Sequence, residues 1–242
     1  MLKRGPRPVS PPTFSALHAK DVQVAGGMGT TTRMGVRPPS DRGKRVLDLA
    51  VAVPLMIATA PVLAIASVLV RVTMGRPVLW RHERPGRLGK PFTMYKIRTM
   101  RQPAVGEQWL KTDEVRLTRV GRLLRKTSID ELPSLWNVVR GDMSMVGPRP
   151  LLMEYLPRYT ERQMNRMIVR PGVTGWAQVN GRQKIGLSKR IELDLWYIDH
   201  RSSRLDVKIL WMTMLQAFTG RGVVSGQNPT SIDDLPLAKT DG

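Results

Sequence analysis

A chain of 242 residues, 41% of them hydrophobic, is long enough for one domain of ordinary size with tails. It contains no cysteine, which excludes disulfides and thiolate metal sites and agrees with a reducing compartment. With 39 Lys and Arg against 19 Asp and Glu the formal charge is +20, so anions are the partners to expect: nucleic acid, lipid headgroups or phosphorylated small molecules.

Residues 1–43 are rich in Pro, Gly, Ser, Thr and Arg and show no apolar period. They read as a disordered, basic N-terminal extension. They do not read as a secretory signal, because the apolar run starts too late and no clear cleavage site precedes it. Residues 222–242 are similarly polar and are expected to form a flexible tail. The folded domain is placed at 44–221, and no internal repeat is visible.

The first element is apolar. Val46 to Val70 reads VLDLAVAVPLMIATAPVLAIASVLV, with Asp48 its only charge. As one helix it would span about 37 Å, enough to cross a bilayer. Pro54 and Pro61 lie inside it, and an interior proline removes a hydrogen bond and clashes with the preceding turn. Ala60-Pro61 is therefore the expected break. Arg42, Lys44 and Arg45 precede the run; Arg71, Arg76, Arg81, Arg84, Arg87 and Lys90 follow it. Basic flanks prefer the cytoplasmic side, and here both flanks are basic. A re-entrant hairpin over 46–70, helix, break, helix, keeps both on one face. A single crossing and a soluble core helix remain the other two readings of these residues.

Val78–Glu83 and Phe92–Ile97 bracket the turn-rich R-P-G-R-L-G-K-P and predict a small β-hairpin. Basic residues crowd this region, with Trp80 and Tyr95 among them and Glu83 the single acid. Because it directly follows the apolar run, anionic phospholipid is a nearer partner than nucleic acid. Arg116, Leu117, Arg119, Val120, Arg122 and Leu124 recur at helical spacing. That pattern suits an amphipathic helix on a membrane surface and equally a solvated helix on an ordinary core. Val207, Leu210, Trp211, Met214, Leu215 and Phe218 predict a helix that is buried or at a lipid interface. The fold class expected is mainly α with one small β-hairpin.

The densest chemistry lies at Ser128–Pro150, S-I-D-E-L-P-S-L-W-N-V-V-R-G-D-M-S-M-V-G-P-R-P. Asp130 and Glu131 are adjacent carboxylates. Ser128-x-x-Glu131 also fits a capping box, in which Glu131 reaches back to the backbone, although Pro133 sits awkwardly for a standard first turn. An ionised aspartate here suits both Mg²⁺ ligation and attack on phosphorus. Arg125 and Lys126 lie just upstream. Arg149 stands between Pro148 and Pro150, which restrict its backbone and preorganise a guanidinium suited to bidentate phosphate binding. Other chemistries lack their parts. There is no G-x-x-x-x-G-K-[ST], no G-x-S-x-G, and His18, His82 and His200 are too scattered for a zinc site.

These residues resemble the bacterial monotopic phosphoglycosyl transferases, or initiating sugar transferases, in their short catalytic-domain form. The matching segments are K-R-V-L-D-L at the start of the apolar run, R-P-G at 84–86 and M-Y-K-I-R-T-M at 94–100. They continue with S-I-D-E-L-P through G-P-R-P, V-R-P-G-V-T-G-W-A-Q-V-N-G-R at 169–182 and E-L-D-L-W-Y-I at 192–198. The resemblance implies a monotopic membrane protein on the cytoplasmic face of the bacterial inner membrane, with a re-entrant helix and interfacial amphipathic helices. It implies a UDP-sugar and a polyprenol phosphate, undecaprenyl phosphate in the first instance, as substrates. Asp130 would attack the β-phosphate, expel UMP and carry the sugar phosphate covalently. Mg²⁺ would sit at Asp130 and Glu131. Arg149 would hold substrate phosphate, with Lys96 and Arg125 beside it, and Glu131 would act in metal binding or proton handling. Asp142 and Asp194 match family positions without a derivable role. A homodimer, the sugar and the glycan stay open. A basic nucleic-acid-binding protein and a non-catalytic membrane scaffold are the competing readings. The first leaves the 46–70 run and the Asp-Glu pair without a purpose.

Overall fold

The computed structural model describes residues 41–102, 116–181, 185–219 and 233–235. Of the expected N-terminal extension, 1–43, residues up to 40 lie outside them, while Arg42 and Gly43 belong to the first helix.

The apolar run forms helix α1, Arg42–Met74, with Pro54 and Pro61 inside it. The break expected at Ala60-Pro61 is thus not a helix end. One proline removes a single N–H, and the flanking residues keep the helix going; a bend rather than a stop is its ordinary consequence. The Thr59 hydroxyl donates to the Leu55 carbonyl at 2.7 Å, a back-bond that also favours bending.

One stripe of α1 faces protein. Asp48, Ala52, Ala66 and Val70 are buried, with Met56, Leu63 and Met74 packed between and beside them. Their spacing of three and four is that of a single helical face. The remainder is bare: Ile57, Ile65, Val68 and Val72 are 62–78% exposed. Only 11% of the most apolar stretch is buried, unlike the core helix of a soluble protein.

Both ends of α1 are tied to the same body. At the first end Lys44 donates to Asp206 at 2.7 Å, and Arg45 donates to the carbonyls of Val138 and Val139. Asp48, the charge inside the run, accepts from Ser144 Oγ and from the Met145 N–H, each at 2.9 Å. At the other end Arg98 donates to the carbonyls of Met74, Gly75 and Arg76, and Val70 packs with Ile97 and Leu124.

The hairpin forms as expected. β1, Leu79–Pro85, pairs antiparallel with β2, Pro91–Ile97, with Trp80 opposite Lys96. Helix α2 spans Arg119–Lys126 and starts later than its apolar spacing suggests. Thr118 caps it by accepting the Gly121 N–H at 2.9 Å, and Leu117 instead bridges to Met100. Gly121 lies directly on the Thr99 backbone, where a Cβ would meet the Thr99 carbonyl oxygen at 1.8 Å.

A short 3₁₀ turn, Ile129–Glu131, leads into α3, Ser134–Arg140. Asn137 of α3 is fully buried and stitches it to β2, donating to Thr93 O at 2.7 Å and accepting from Tyr95 N. The capping-box alternative is not realised. Ser128 adopts φ 57° and caps nothing, while the Ser134 hydroxyl donates to the Glu131 carbonyl at 2.6 Å.

A second sheet lies beyond the single hairpin that the sequence predicts. β3, Ser144–Val146, runs parallel to β4, Gly172–Thr174, with the short helix α4, Glu161–Met164, in the connection. Three residues are too few for a period of two to show. Glycines allow the approach: a Cβ on Gly172 would sit 2.1 Å from Gly147 N, and one on Gly175 2.2 Å from Gly147 O. The repeated Gly of G-P-R-P and R-P-G-V-T-G therefore marks two backbones in contact.

Helices α5 (Trp176–Asn180), α6 (Leu187–Asp199) and α7 (Ser203–Thr219) complete the fold. In α7 most of the predicted apolar stripe points outward, while Leu210 packs on the core. Val207, Trp211, Met214 and Leu215 are exposed, whereas Asp206 and Ile209 face the core. Of the expected flexible tail, residues 233–235 are docked, with Leu235 buried against Leu187, Ile191 and Leu195; the rest lies outside the described residues.

Candidate active site

The site forms where the 3₁₀ turn Ile129–Glu131 meets β2 and the Gly147–Pro150 loop. It gathers residues from four stretches: Arg84 on β1, Lys96 on β2, Asp130 and Glu131, and Arg149. Arg125 joins from α2.

The two adjacent acids do different things. Glu131 is fully engaged: Lys96 Nζ donates to its Oε1 at 2.8 Å, and Arg149 straddles both oxygens at 2.5 and 3.1 Å. Burial opposes its charge, but Arg149 and Lys96 together hold it well below the usual carboxylate range. Glu131 in turn pushes Arg149 up. Burial lowers Lys96, while Glu131 pulls the other way.

Asp130 is 8% exposed, and among the described residues no group donates a hydrogen bond to its carboxylate. Burial, helped by the neighbouring Glu131 charge, raises its pKa to about 6; Lys96, Arg125 and Arg149 pull it down. At neutral pH it is thus mostly ionised, by about ten to one. Arg125 does not touch Asp130. Its Nε donates to Thr99 Oγ1 at 3.0 Å, and it acts on Asp130 only through its field.

Arg84 escaped the motif reading except as the first letter of R-P-G. It is brought down to about 10 by burial and by the like charge of Arg149. His82 reports the same field: burial, then Arg84 and Lys96, drive it to about 4. Arg84, Lys96, Arg125 and Arg149 against Asp130 and Glu131 leave an excess of positive charge for an anion to complete.

The arginine loop is held by more than its prolines. Gly172 N–H donates to the Pro148 carbonyl at 2.9 Å. Arg166 donates to the Arg149 carbonyl at 2.8 Å and to Asp194 at 2.6 Å, with both side chains of that pair buried. Asp194 thus supports Arg149 through Arg166. Asp142 lies 3.3 Å from Asn137 Nδ2 and 3.4 Å from Arg140, at the foot of α3 rather than in the site. A narrow crevice beside Arg149 is lined by Pro85, Gly86, Pro148, Pro150 and Pro171. Among the described residues no group of three or more acids or histidines could hold a metal alone.

Residues 40–220 match the family profile described as bacterial sugar transferase. The chain belongs to the bacterial sugar transferase family. It is 50% identical over 188 residues to an uncharacterised sugar transferase, EpsL, of Bacillus subtilis, covering 78% of this chain and 93% of that one. It is 38% identical over 189 residues to the UDP-glucose:undecaprenyl-phosphate glucose-1-phosphate transferase of Escherichia coli, covering 74% of this chain and 40% of that protein. It is 36% identical over 188 residues to the undecaprenyl-phosphate galactose phosphotransferase of Salmonella typhimurium, covering 70% and 39%. This sugar transferase spans about two fifths of those two longer relatives. The match holds all the residues gathered above, from Arg84 to Asp194.

Proposed function

We propose that this sugar transferase moves a sugar phosphate from a UDP-sugar to a polyprenol phosphate through Asp130, releasing UMP. The observation that carries the reading is the buried, mostly ionised Asp130 carboxylate, without a hydrogen-bond donor among the described residues, in a cationic cluster whose other acid is already neutralised. A carboxylate so placed, facing excess positive charge, is suited to attack on a phosphorus brought in by that charge.

An oxygen of Asp130 bonds to the β-phosphorus; the bond from that phosphorus to the bridging oxygen breaks, and UMP leaves with both electrons. The sugar phosphate is then an acyl phosphate on Asp130. An oxygen of the polyprenol phosphate attacks the same phosphorus and Asp130 is released, leaving a polyprenol diphosphate sugar. Arg149 and Lys96, held by Glu131, neutralise charge on the phosphoryl oxygens, and Arg84 and Arg125 add to the field. Guanidinium keeps donors free after its bidentate pair with Glu131, so Arg149 can serve both.

A divalent ion fits this donor set. Mg²⁺ ordinarily takes one or two carboxylates and completes its shell with substrate phosphates and water. Asp130 offers free oxygens; Glu131 would have to loosen Lys96 or Arg149 to contribute. Mg²⁺ bound there would offset charge on the diphosphate.

The membrane reading rests on α1. Its bare apolar face is too large for a soluble surface. Its two ends are fixed to one body, and both flanks are basic, so both ends belong on the cytoplasmic side and the helix re-enters rather than crosses. Polyprenol phosphate then meets the nucleotide at one surface. With cysteines at Ser40 and Arg76, neither should be labelled from outside the cell; labelling of one alone would establish a crossing.

The direct test is a panel of UDP-sugars with Mg²⁺ and undecaprenyl phosphate, scored by UMP. At least one sugar should give UMP without the lipid acceptor, in an amount matching the enzyme, followed by turnover when lipid is added. Turnover only when both substrates are present, with no single-turnover UMP, would argue against the covalent intermediate. No UMP from any sugar would favour a scaffold.

A further inference from the structure

The docked residues Asp233, Asp234 and Leu235 serve no step above, yet their seat is built. Arg158 grips Asp233 at 2.6 and 2.9 Å and also donates to the Leu235 carbonyl. Asp234 Oδ1 accepts the Ser188 N–H at 2.8 Å. Helix α6 has Gly186 at its N-cap position, with no side chain to satisfy the first turn. Asp234 supplies that missing cap from far along the chain. Gly186 also makes the space: a Cβ there would meet Asp234 Oδ2 at 2.3 Å. Leu235, 6% exposed, fills a cluster with Leu187, Ile191 and Leu195, against which Tyr155 and Tyr159 pack.

Both contacts lead to Arg149. α6 carries Asp194, two turns beyond the capped end, and Asp194 holds Arg166. Tyr159, packed on the Leu235 cluster, also accepts from Arg166, at 3.3 Å. Arg166 donates to the Arg149 carbonyl. We propose that Asp233-Asp234-Leu235 is a C-terminal clasp that positions Arg149 by fixing α6 and Tyr159 around Arg166. Two packed routes joined by one rigid helix are the kind of connection that transmits position. Its effect on catalysis rests on the proposed role of Arg149; its effect on geometry does not.

Hydrogen exchange on the full-length protein separates the two. Asp234→Ala should speed exchange in the first turn of α6 about tenfold, the size expected for a lost cap, and also speed it at the Gly147 and Gly172 amides, which donate to the Thr174 and Pro148 carbonyls and hold the arginine loop. Asp234→Asn should restore both, because asparagine caps as well as aspartate. In the UMP assay the alanine variant should raise KM for the UDP-sugar several-fold with kcat nearly kept. A chain ending at residue 232 should behave like Asp234→Ala and recover protection when a peptide of residues 231–237 is added. Faster exchange confined to the first turn of α6 would overturn the clasp as a positioning element. Faster exchange at the Gly147 and Gly172 amides without any change in KM would leave the clasp standing and count against Arg149 as a phosphate ligand.

Discussion

Asp130→Asn should abolish UMP release, by at least about 10³-fold, and at the same time make the protein more stable. The second half follows from the sign of the pKa shift. Asp130 is raised from 3.8 to about 6 on folding. The folded state therefore binds the proton more tightly than the unfolded chain. The stability this confers is complete below pH 3.8 and is lost as pH rises through 6. Ionised Asp130 at pH 7.5 costs about 3 kcal/mol, since one pKa unit is worth about 1.4 kcal/mol. Asparagine removes the cost. The gain should be under about 1 kcal/mol at pH 4 and level off near about 3 kcal/mol above pH 7. For a domain of this size that is a rise in Tm of about 5–10 °C, read by calorimetry in detergent with a chelator present. Such a trade is the signature of a group kept for chemistry against its folding preference. A variant that is inactive but less stable would show that Asp130 is held by its cations as a structural charge. An active variant would end the nucleophile assignment.

The companion change, Glu131→Gln, should move the other way in pH. Glu131 raises Asp130 and ties up Arg149 and Lys96. Without its charge the acid limb of kcat/KM, set near pH 6 by Asp130, should shift to lower pH while the maximum rate falls through a loosened Arg149.

Much of this was legible in the residues, and for identifiable reasons. The hairpin carries alternation and a Gly-Pro turn, and it formed where those signals put it. Asp130, Glu131 and Arg149 were marked by chemistry too dense for a loop, and they converge. What escaped was tertiary. The parallel pair β3 and β4 is too short to show a period. The break expected at Ala60-Pro61 lies inside one continuous helix, because a single proline removes one backbone donor and the flanking residues carry the helix on. The division between the acids was also invisible, because it depends on Lys96 reaching across from β2 through the Asn137 stitch. Asp194 looked functional by position alone; only the Arg166 contact turns position into a role.

That contact supports the other large prediction. Asp194→Ala should destabilise the protein by about 3–5 kcal/mol, because it leaves the buried Arg166 guanidinium without its counter-charge. Burial raises the Asp194 carboxyl while Arg166 draws it down, so the 2.6 Å contact is a charge-assisted bond in a dry site. Loss of the pair would also free the Arg149 carbonyl from Arg166. Stability and positioning can then be separated with a double change. Asp194→Leu with Arg166→Met removes both charges and should recover much of the lost stability, since a packed apolar pair often matches a buried ion pair. It should not recover activity, because Arg166 then no longer donates to the Arg149 carbonyl. Unfolding by denaturant and UMP kinetics on the three proteins measure the two effects side by side. If the double variant regains both stability and KM, the Arg166–Asp194 pair is a fold element only, and the loop is held sufficiently by the Gly172–Pro148 bond and its own prolines.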